Sequence, residues 1–353
     1  MELKSLNIKG LSLKKLTILK RLNIKGFEQL SLKINKRQFI IVLLAVALIG
    51  CAGLATYIYL NLGDEYAPNR STSIMGQPKF LHPIAGQGSA KLSRPLSVAV
   101  SGKYVYVADS ANGRLAIFTK RGSLVRSVKL LKQGDPYPLG IAVDERNRIY
   151  LSVEIKGFFH IMVVDAFGQF QYLFPGANQT TAGDQPVLNH PVGLYYRGGK
   201  LYVTDVGDQD VKVFSEGGRL LKRFGRPGTG NGQFMYPHGI VADEDGNIYV
   251  ADSNNSRVQV FDKNGRFRYL FKPERKNPLV LPRGIAIDSL GRVHVVDLAS
   301  QKVFVFTKQG KYLLSYDRGD KPLSYPNGIA VDTNAGLIYI ADRLNNRIAV
   351  FSE

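Results

Sequence analysis

The sequence predicts an all-β fold: a six-bladed β-propeller closed by an N-terminal strand and preceded by one transmembrane helix. Three observations lead there. A proline-headed unit starts at Pro95, Pro138, Pro191, Pro237, Pro282 and Pro326, at intervals of 43, 53, 46, 45 and 44 residues. Each unit holds four short runs rich in Val, Ile, Tyr and Phe, separated by Gly, Asp and Asn turns, the pattern of a four-stranded antiparallel meander. Residues 39–60 form a run of 22 without one charge. The organisation that follows is a basic cytoplasmic arm (1–38), a transmembrane signal anchor (39–60), a linker (61–77) and a propeller (78–353).

The arm holds ten Lys and Arg against Glu2 and Glu28, while the rest of the chain carries 37 basic against 26 acidic residues. A helix over 39–60 reaches about 33 Å, enough for a hydrocarbon core of about 30 Å. Lys36 and Arg37 flank one end and Asp64 and Glu65 lie beyond the other. The positive-inside bias places the N-terminus in the cytoplasm and the propeller outside, in a single-pass membrane protein. A competing reading is a lipoprotein. Leu48-Ile49-Gly50-Cys51 resembles a lipobox, and Cys51, the lipidation candidate, is the single cysteine of the chain. That count also excludes an intrachain disulfide framework and any paired-cysteine metal or redox site.

A four-stranded sheet has two apolar faces and buries neither alone. A ring of such sheets buries both, and 40–50 residues per unit suits a propeller blade. Unit six stops at Glu353 without a fourth strand, whereas residues 79–83 before the first proline mirror the outer strand Arg219–Phe224 of unit three. The N-terminal strand therefore completes the last blade and removes an exposed edge. The recurring string P-x-G-I-A-V-D…I-Y-V-A-D-x-x-N-x-R-V-x-V-F resembles the NHL repeat family. The resemblance covers 78–353. It implies a six-bladed propeller that binds proteins, RNA, peptides or glycans, with a few enzymes among its relatives.

The six units also sort architecture from function. Gly140, Gly193, Gly239, Gly284 and Gly328 follow the proline by two, a place for close backbone approach or special dihedrals. Asp109, Asp205, Asp252, Asp297 and Asp342 end the second strand, and Arg114, Arg257, Lys302 and Arg347 follow five residues later. A pair at that spacing ties strands two and three together, with a basic partner in each blade. Ser152 stands in for Asp in blade two and Asp210 for Arg in blade three.

The innermost strand starts at the mouth of the central channel, so the residue after each proline stands on its rim: Leu96, Leu139, Val192, His238, Arg283 and Asn327. The loop between strands two and three opens on the same face and offers Ser110, Glu154, Val206, Ser253, Leu298 and Arg343. The candidate ligand-binding set is His238, Arg283, Asn327, Arg343, Ser253 and Glu154. It forms half of a funnel whose other half is apolar, suited to an anionic or mixed-polarity ligand. No cofactor and no metal is expected, because His238 is alone on the rim, with His190 and His294 predicted outside it, and zinc chemistry wants three protein ligands. No catalytic residue is assigned. The expected function is extracytoplasmic binding or scaffolding of a protein, peptide, glycan or other anionic ligand. A metal-assisted hydrolase or lyase in the channel is the alternative, and an outside location argues against nucleic acid.

Overall fold

The computed structural model describes residues 76–130, 136–175, 187–271, 276 and 278–353. The basic arm, residues 39–60, Cys51 and almost all of the linker lie outside these residues. Among the described residues no helix is long and apolar enough to cross a membrane.

Six four-stranded sheets surround one channel. Blade one is β2–β5 (Ser97–Ser101, Tyr104–Asp109, Arg114–Thr119, Leu124–Lys129), blade two β6–β9 (Tyr137–Val143, Ile149–Ile155, Phe158–Val164, Phe170–Phe174), blade three β10–β13 (Pro191–Arg197, Lys200–Asp205, Asp210–Ser215, Leu220–Phe224), blade four β14–β17 (Pro237–Ala242, Ile248–Asp252, Arg257–Phe261, Phe267–Leu270) and blade five β18–β21 (Pro282–Ile287, Val293–Asp297, Lys302–Phe306, Tyr312–Tyr316); blade six is β22–β24 (Pro326–Asp332, Leu337–Asp342, Arg347–Ser352) with β1 (Phe80–Ile84) on its outside. β1 (Phe80–Ile84) pairs antiparallel with β24 (Arg347–Ser352), Phe80 opposite Phe351 and Ile84 opposite Ile348. The predicted closure is thus present. The Phe80 ring meets that of Phe351 edge-on at 5.5 Å, and the Lys79 carbonyl accepts the Ser352 N–H at 2.8 Å. Because β1 starts opposite the end of β24, the chain enters the propeller on the face of the strand one–two hairpins. The funnel opens on the other face.

Strands two and three of each blade are buried on both sides. For example, Ile248–Asp252 (β15) and Val258–Phe261 of β16 (Arg257–Phe261) are all buried. The aliphatic and aromatic side chains form six clusters, each shared by two neighbouring blades; one joins Val295 and Phe304 of blade five to Val258 and Val260 of blade four. At about 1.5–3 kcal/mol per buried side chain, these six seams hold the ring.

The repeated glycines are there for close approach between blades. A Cβ on Gly193 would lie 1.8 Å from the His238 carbonyl oxygen, and one on Gly239 2.2 Å from that of Arg283. In blades three to six the first strand also shifts register between the proline and the residue three further on. This bulge lifts the rim residue out of the ladder and re-aims it.

The Asp–Arg ties form in three blades: Asp109–Arg114 at 2.6 Å, Asp252–Arg257 at 2.7 Å and Asp342–Arg347 at 2.7 Å. Each carboxylate also accepts a backbone N–H from the segment preceding its blade, as Ser93 to Asp109 at 2.7 Å. Two expectations are corrected. Lys302 does not reach Asp297; it is 41% exposed and lies 3.8 Å from Asp317, so Asp297 rests on the N–H groups of Val280 and Leu281. In blade two, Val153 and not Ser152 occupies the Asp position, opposite Pro138. Ser152 matches Thr204: its hydroxyl takes the Gly140 N–H and donates to the Val192 carbonyl. Asp210 does replace Arg in blade three, opposite Asp205. Fully buried Lys212 then supplies the charge, 2.8 Å from Asp205, 2.7 Å from Asp208 and 3.0 Å from Asp210.

Candidate functional site: the channel mouth

All six rim residues converge. Leu96, Leu139, Val192, His238, Arg283 and Asn327 line one cavity of about 70 Å³ at the channel mouth. Its floor is a ring of Val98, Ile141, Leu194, Ile240, Ile285 and Ile329, each two residues beyond a rim residue. These six also roof a second cavity of about 940 Å³ that opens on the opposite face. The mouth is therefore shallow, with an aliphatic base.

Its polar half is electrostatically unusual. Burial lowers the Arg283 pKa from its ordinary value, the nearby Arg343 charge lowers it further, and Asp297 works against both. The Nε atoms of Arg283 and Arg343 are buried and have no hydrogen-bond partner. Two neighbouring guanidiniums with unmet donors make a concentrated positive field, and a planar fork suits a carboxylate. His238 is half-buried beside them. Burial, the Arg283 charge and then His190 hold its pKa well below the ordinary range, so the ring is neutral at pH 7. Asn327 completes the arc on blade six.

The other two candidates divide. Glu154 is half-buried at the end of the second strand of blade two, where its charge acts on His190. Ser253 is not available: it is fully buried and its hydroxyl donates to the Pro282 carbonyl at 2.5 Å. Ser110 does the same to Pro138 at 2.6 Å, so this serine is an inter-blade tie.

Two features escaped the sequence reading. His190, expected off the rim, is stacked on Phe159 with ring centroids 3.4 Å apart and lies close enough to depress the pKa of His238. Burial is also the main cause of its own lowered pKa. In addition, the β7–β8 hairpin (Ile149–Ile155, Phe158–Val164) is longer than its counterparts and raises Phe158, 70% exposed, above the face. The 53-residue interval from Pro138 to Pro191 was the signal that blade two carries extra material. Exposed Met235, Tyr236, Val280, Tyr325 and Leu344 stand on the same face. Tyr236 and Tyr325 have φ of 56° and 49°, an uncommon conformation for a bulky residue.

His294 is remote from the mouth, as expected. It is buried between blades, with Nε2 2.9 Å from Asp288 and Nδ1 3.2 Å from the Tyr316 hydroxyl. Among the described residues, Asp205, Asp208 and Asp210 bring three carboxylates within metal-ligand range of one another. The Lys212 ammonium fills that space.

Comparison with known proteins agrees with this architecture. The NHL repeat model matches residues 234–261 and 323–351, and the LVIVD repeat model matches 95–117. The chain carries NHL repeats in a six-bladed β-propeller. NHL repeat-containing protein 3 of Homo sapiens is 40% identical over 77 residues, 18% of this chain and 22% of that protein. Protein brain tumor of Drosophila melanogaster is 47% identical over 49 residues, 14% of this chain and 5% of that protein. The matched stretches are thus a small part of these relatives. Among solved structures, a streptogramin B lyase superposes with a TM-score of 0.53 at 14% identity, covering 78% of this chain and 98% of that one. A Bacteroides thetaiotaomicron protein of unknown function gives 0.57 at 16%, covering 78% and 72%. At these identities the likeness is one of fold.

Proposed function

We propose that the protein is a membrane-anchored, extracytoplasmic binding and scaffold propeller that receives an acidic segment of a protein partner at the channel mouth. The observation that carries this reading is the pair Arg283 and Arg343, adjacent cations whose buried Nε donors are unmet. A carboxylate placed between them would satisfy both, at about 1.5–3 kcal/mol per charged hydrogen bond. The aliphatic floor and Leu96, Leu139 and Val192 accept the apolar neighbours of that carboxylate. Exposed Tyr236, Tyr325 and Phe158 extend the contact, and tyrosine and phenylalanine are favoured at protein interfaces. The shallow mouth suits a side chain or loop tip better than an enclosed substrate. The anchor and its orientation rest on the charge-free run 39–60 and on the ten basic residues before it.

The lyase alternative draws on fold likeness alone. Catalytic zinc wants three protein ligands and an open position, whereas the mouth brings together two histidines and two arginines.

The test uses a fluorescein-labelled hexaglutamate peptide at low salt. The double variant Arg283→Ala, Arg343→Ala is expected to lose at least about tenfold in affinity with unchanged thermal stability. Full binding by the double variant, or equal binding of a hexalysine control, sinks this reading. Protease added to intact cells should remove the propeller and spare residues 1–37; protection of the propeller would reverse the orientation.

A further inference from the structure

Beside the rim, the residue before each head proline forms a second tier. In blades one, four and six it is Arg94, Tyr236 and Tyr325, all exposed, with φ of 46°, 56° and 49°. A side chain crowds the backbone in this left-handed region, and a following proline favours extended forms instead. Such a conformation persists only where the surroundings over-determine it. At Arg94 the surroundings come from both sides of the ring closure. Its N–H donates to Asn346 Oδ1 of blade six at 2.8 Å, and the Ser93 N–H donates to Asp109 of blade one at 2.7 Å. The Arg94 backbone is pinned to two blades while its side chain stands in solvent.

Arg94 and Arg343 flank one loop. The 3-10 turn Arg343–Asn345 is followed by Asn346, which holds Arg94. Three residues at a rise of about 2 Å each, plus that hydrogen bond, set the two backbones about 10 Å apart. Arg343 is in turn near enough to Arg283 for its charge to lower the Arg283 pKa. Three guanidiniums thus follow the rim from blade five across blade six to its junction with blade one. The carboxylates of this sector are already engaged. Asp342 accepts from Arg347, Asn345 and the Ser324 N–H, Asp109 accepts from Arg114, Asn112 and the Ser93 N–H, and Asp320 pairs with Arg347. Among the described residues, no ion pair neutralises Arg283, Arg343 or Arg94.

We propose that Arg94 is a second anion anchor of the channel-mouth site, and that the occupant is an extended acidic peptide with carboxylates at positions i and i+3. One carboxylate sits between Arg283 and Arg343 and the other on Arg94. This rests on the reading of the mouth as the receiver of an acidic segment. The spacing comes from the geometry of the loop. In the polyproline II form that unfolded chains favour, residues i and i+3 share a face and stand about 9 Å apart, close to the separation of the two anchors. The loop between them offers the intervening residues an apolar contact: Leu344 is 45% exposed, and its N–H donates to the Ser324 carbonyl beside Tyr325 at 3.1 Å. The pinned backbone of Arg94 lowers the ordering cost of the contact.

The test uses the full chain in detergent at low salt, with labelled hexaglutamate displaced by unlabelled Gly-Ser peptides. Each competitor carries two glutamates, from adjacent to six residues apart. The i, i+3 peptide should displace best from the wild type. Arg94→Ala should bind hexaglutamate about three- to fivefold more weakly, the scale of an exposed ion pair, and should lose the preference among spacings. Arg226→Ala removes another exposed cation, in the connection between blades three and four, and should keep both affinity and preference. Melting curves show which variants are folded; Arg94→Gly, which accepts a positive φ without strain, gives the reading where the alanine variant is not. A flat spacing profile in the wild type overturns the second anchor and leaves the mouth reading standing. An unchanged profile and affinity without the Arg94 side chain, or an equal loss in Arg226→Ala, does the same. A wild type that does not bind hexaglutamate overturns both.

Discussion

Arg257 and Lys302 occupy the same place in successive repeats, yet replacing them with alanine should have very unequal consequences. Arg257 donates from Nε to Asp252 at 2.7 Å and from its two terminal nitrogens to the carbonyls of Thr229, Gly230 and Gln233, each at 2.8 Å. Asp252 is fully buried. Breaking a buried pair by removing one partner costs about 3–5 kcal/mol. Two facts trim this. The Arg257 side chain keeps 14% exposure, and Asp252 retains Met235 N–H, Asn255 and Gln259 as donors. We therefore expect about 3 kcal/mol for Arg257→Ala. At about 2–4 °C per kcal/mol for domains of roughly this size, the midpoint should fall by at least about 5 °C. Lys302 makes only a 3.8 Å contact with half-exposed Asp317, and surface pairs contribute about 0–1 kcal/mol. Lys302→Ala should cost less than about 0.5 kcal/mol. The chain has 18 tyrosines and no tryptophan, so near-ultraviolet circular dichroism during heating reads both variants. Equal losses would refute the view that the tie, and not the repeat position, carries the stability.

Three further outcomes follow from the same geometry. Deleting residues 1–62 should leave a cooperatively unfolding propeller, whereas deleting 1–90 removes β1 and should give aggregation or a broad transition; similar melts would dismiss the closure. Gly193→Ala forces a Cβ within 1.8 Å of the His238 carbonyl and should destabilise by more than about 2 kcal/mol, while Gly102→Ala, which meets no atom, should cost only the strain of its φ of 55°, about 1–2 kcal/mol; the reverse order in urea unfolding would contradict the close-approach account. Finally, His238 is held neutral by a lowered pKa, so the unfolded chain takes up its proton first and stability should drop as pH falls below about 6.5. A bound anion raises that pKa, so hexaglutamate affinity should rise over the same interval, and His238→Gln should flatten both curves; unchanged slopes in the variant would assign the effect to other groups.

Much of the propeller could be read from the chain because each blade repeats the same physical problem. Proline at the head, glycine two residues on and the Asp–Arg spacing all recur, and recurrence separates fold from function without any second sequence. The rim followed from the same logic: one residue per blade, free to vary, at one end of the inner strand. Where a blade departs from the pattern, the sequence loses its guide. Ser152 was misplaced by one residue because blade two has Val153 in the Asp position, with no polar side chain to mark the register. Lys302 was assigned a partner by analogy, although a lysine lacks the fork that lets arginine reach the carboxylate and three carbonyls together. His190 was missed because its stacking on Phe159 is a contact between neighbouring blades: the 53-residue interval marks extra material in blade two but does not say what that material touches.

These failures share a cause that bears on how the channel mouth works. In blades three to six, the rim residue contributes its backbone carbonyl to the ring, pressed against the glycine of the preceding blade: Val192 against Gly140, His238 against Gly193, Arg283 against Gly239, Asn327 against Gly284. The fold thus ties these rim positions through the backbone, and the side chain is free to differ from blade to blade. Ser253 shows the opposite division, since its side chain is the tie and cannot vary freely. A site assembled on backbone ties can change its chemistry blade by blade with little cost to the ring. That explains how three apolar residues and a His–Arg–Asn arc coexist on one rim with no loss of closure. It also makes the stability-neutral behaviour expected of the Arg283→Ala, Arg343→Ala pair a consequence of the architecture: the Arg283 carbonyl stays in place when its guanidinium is gone.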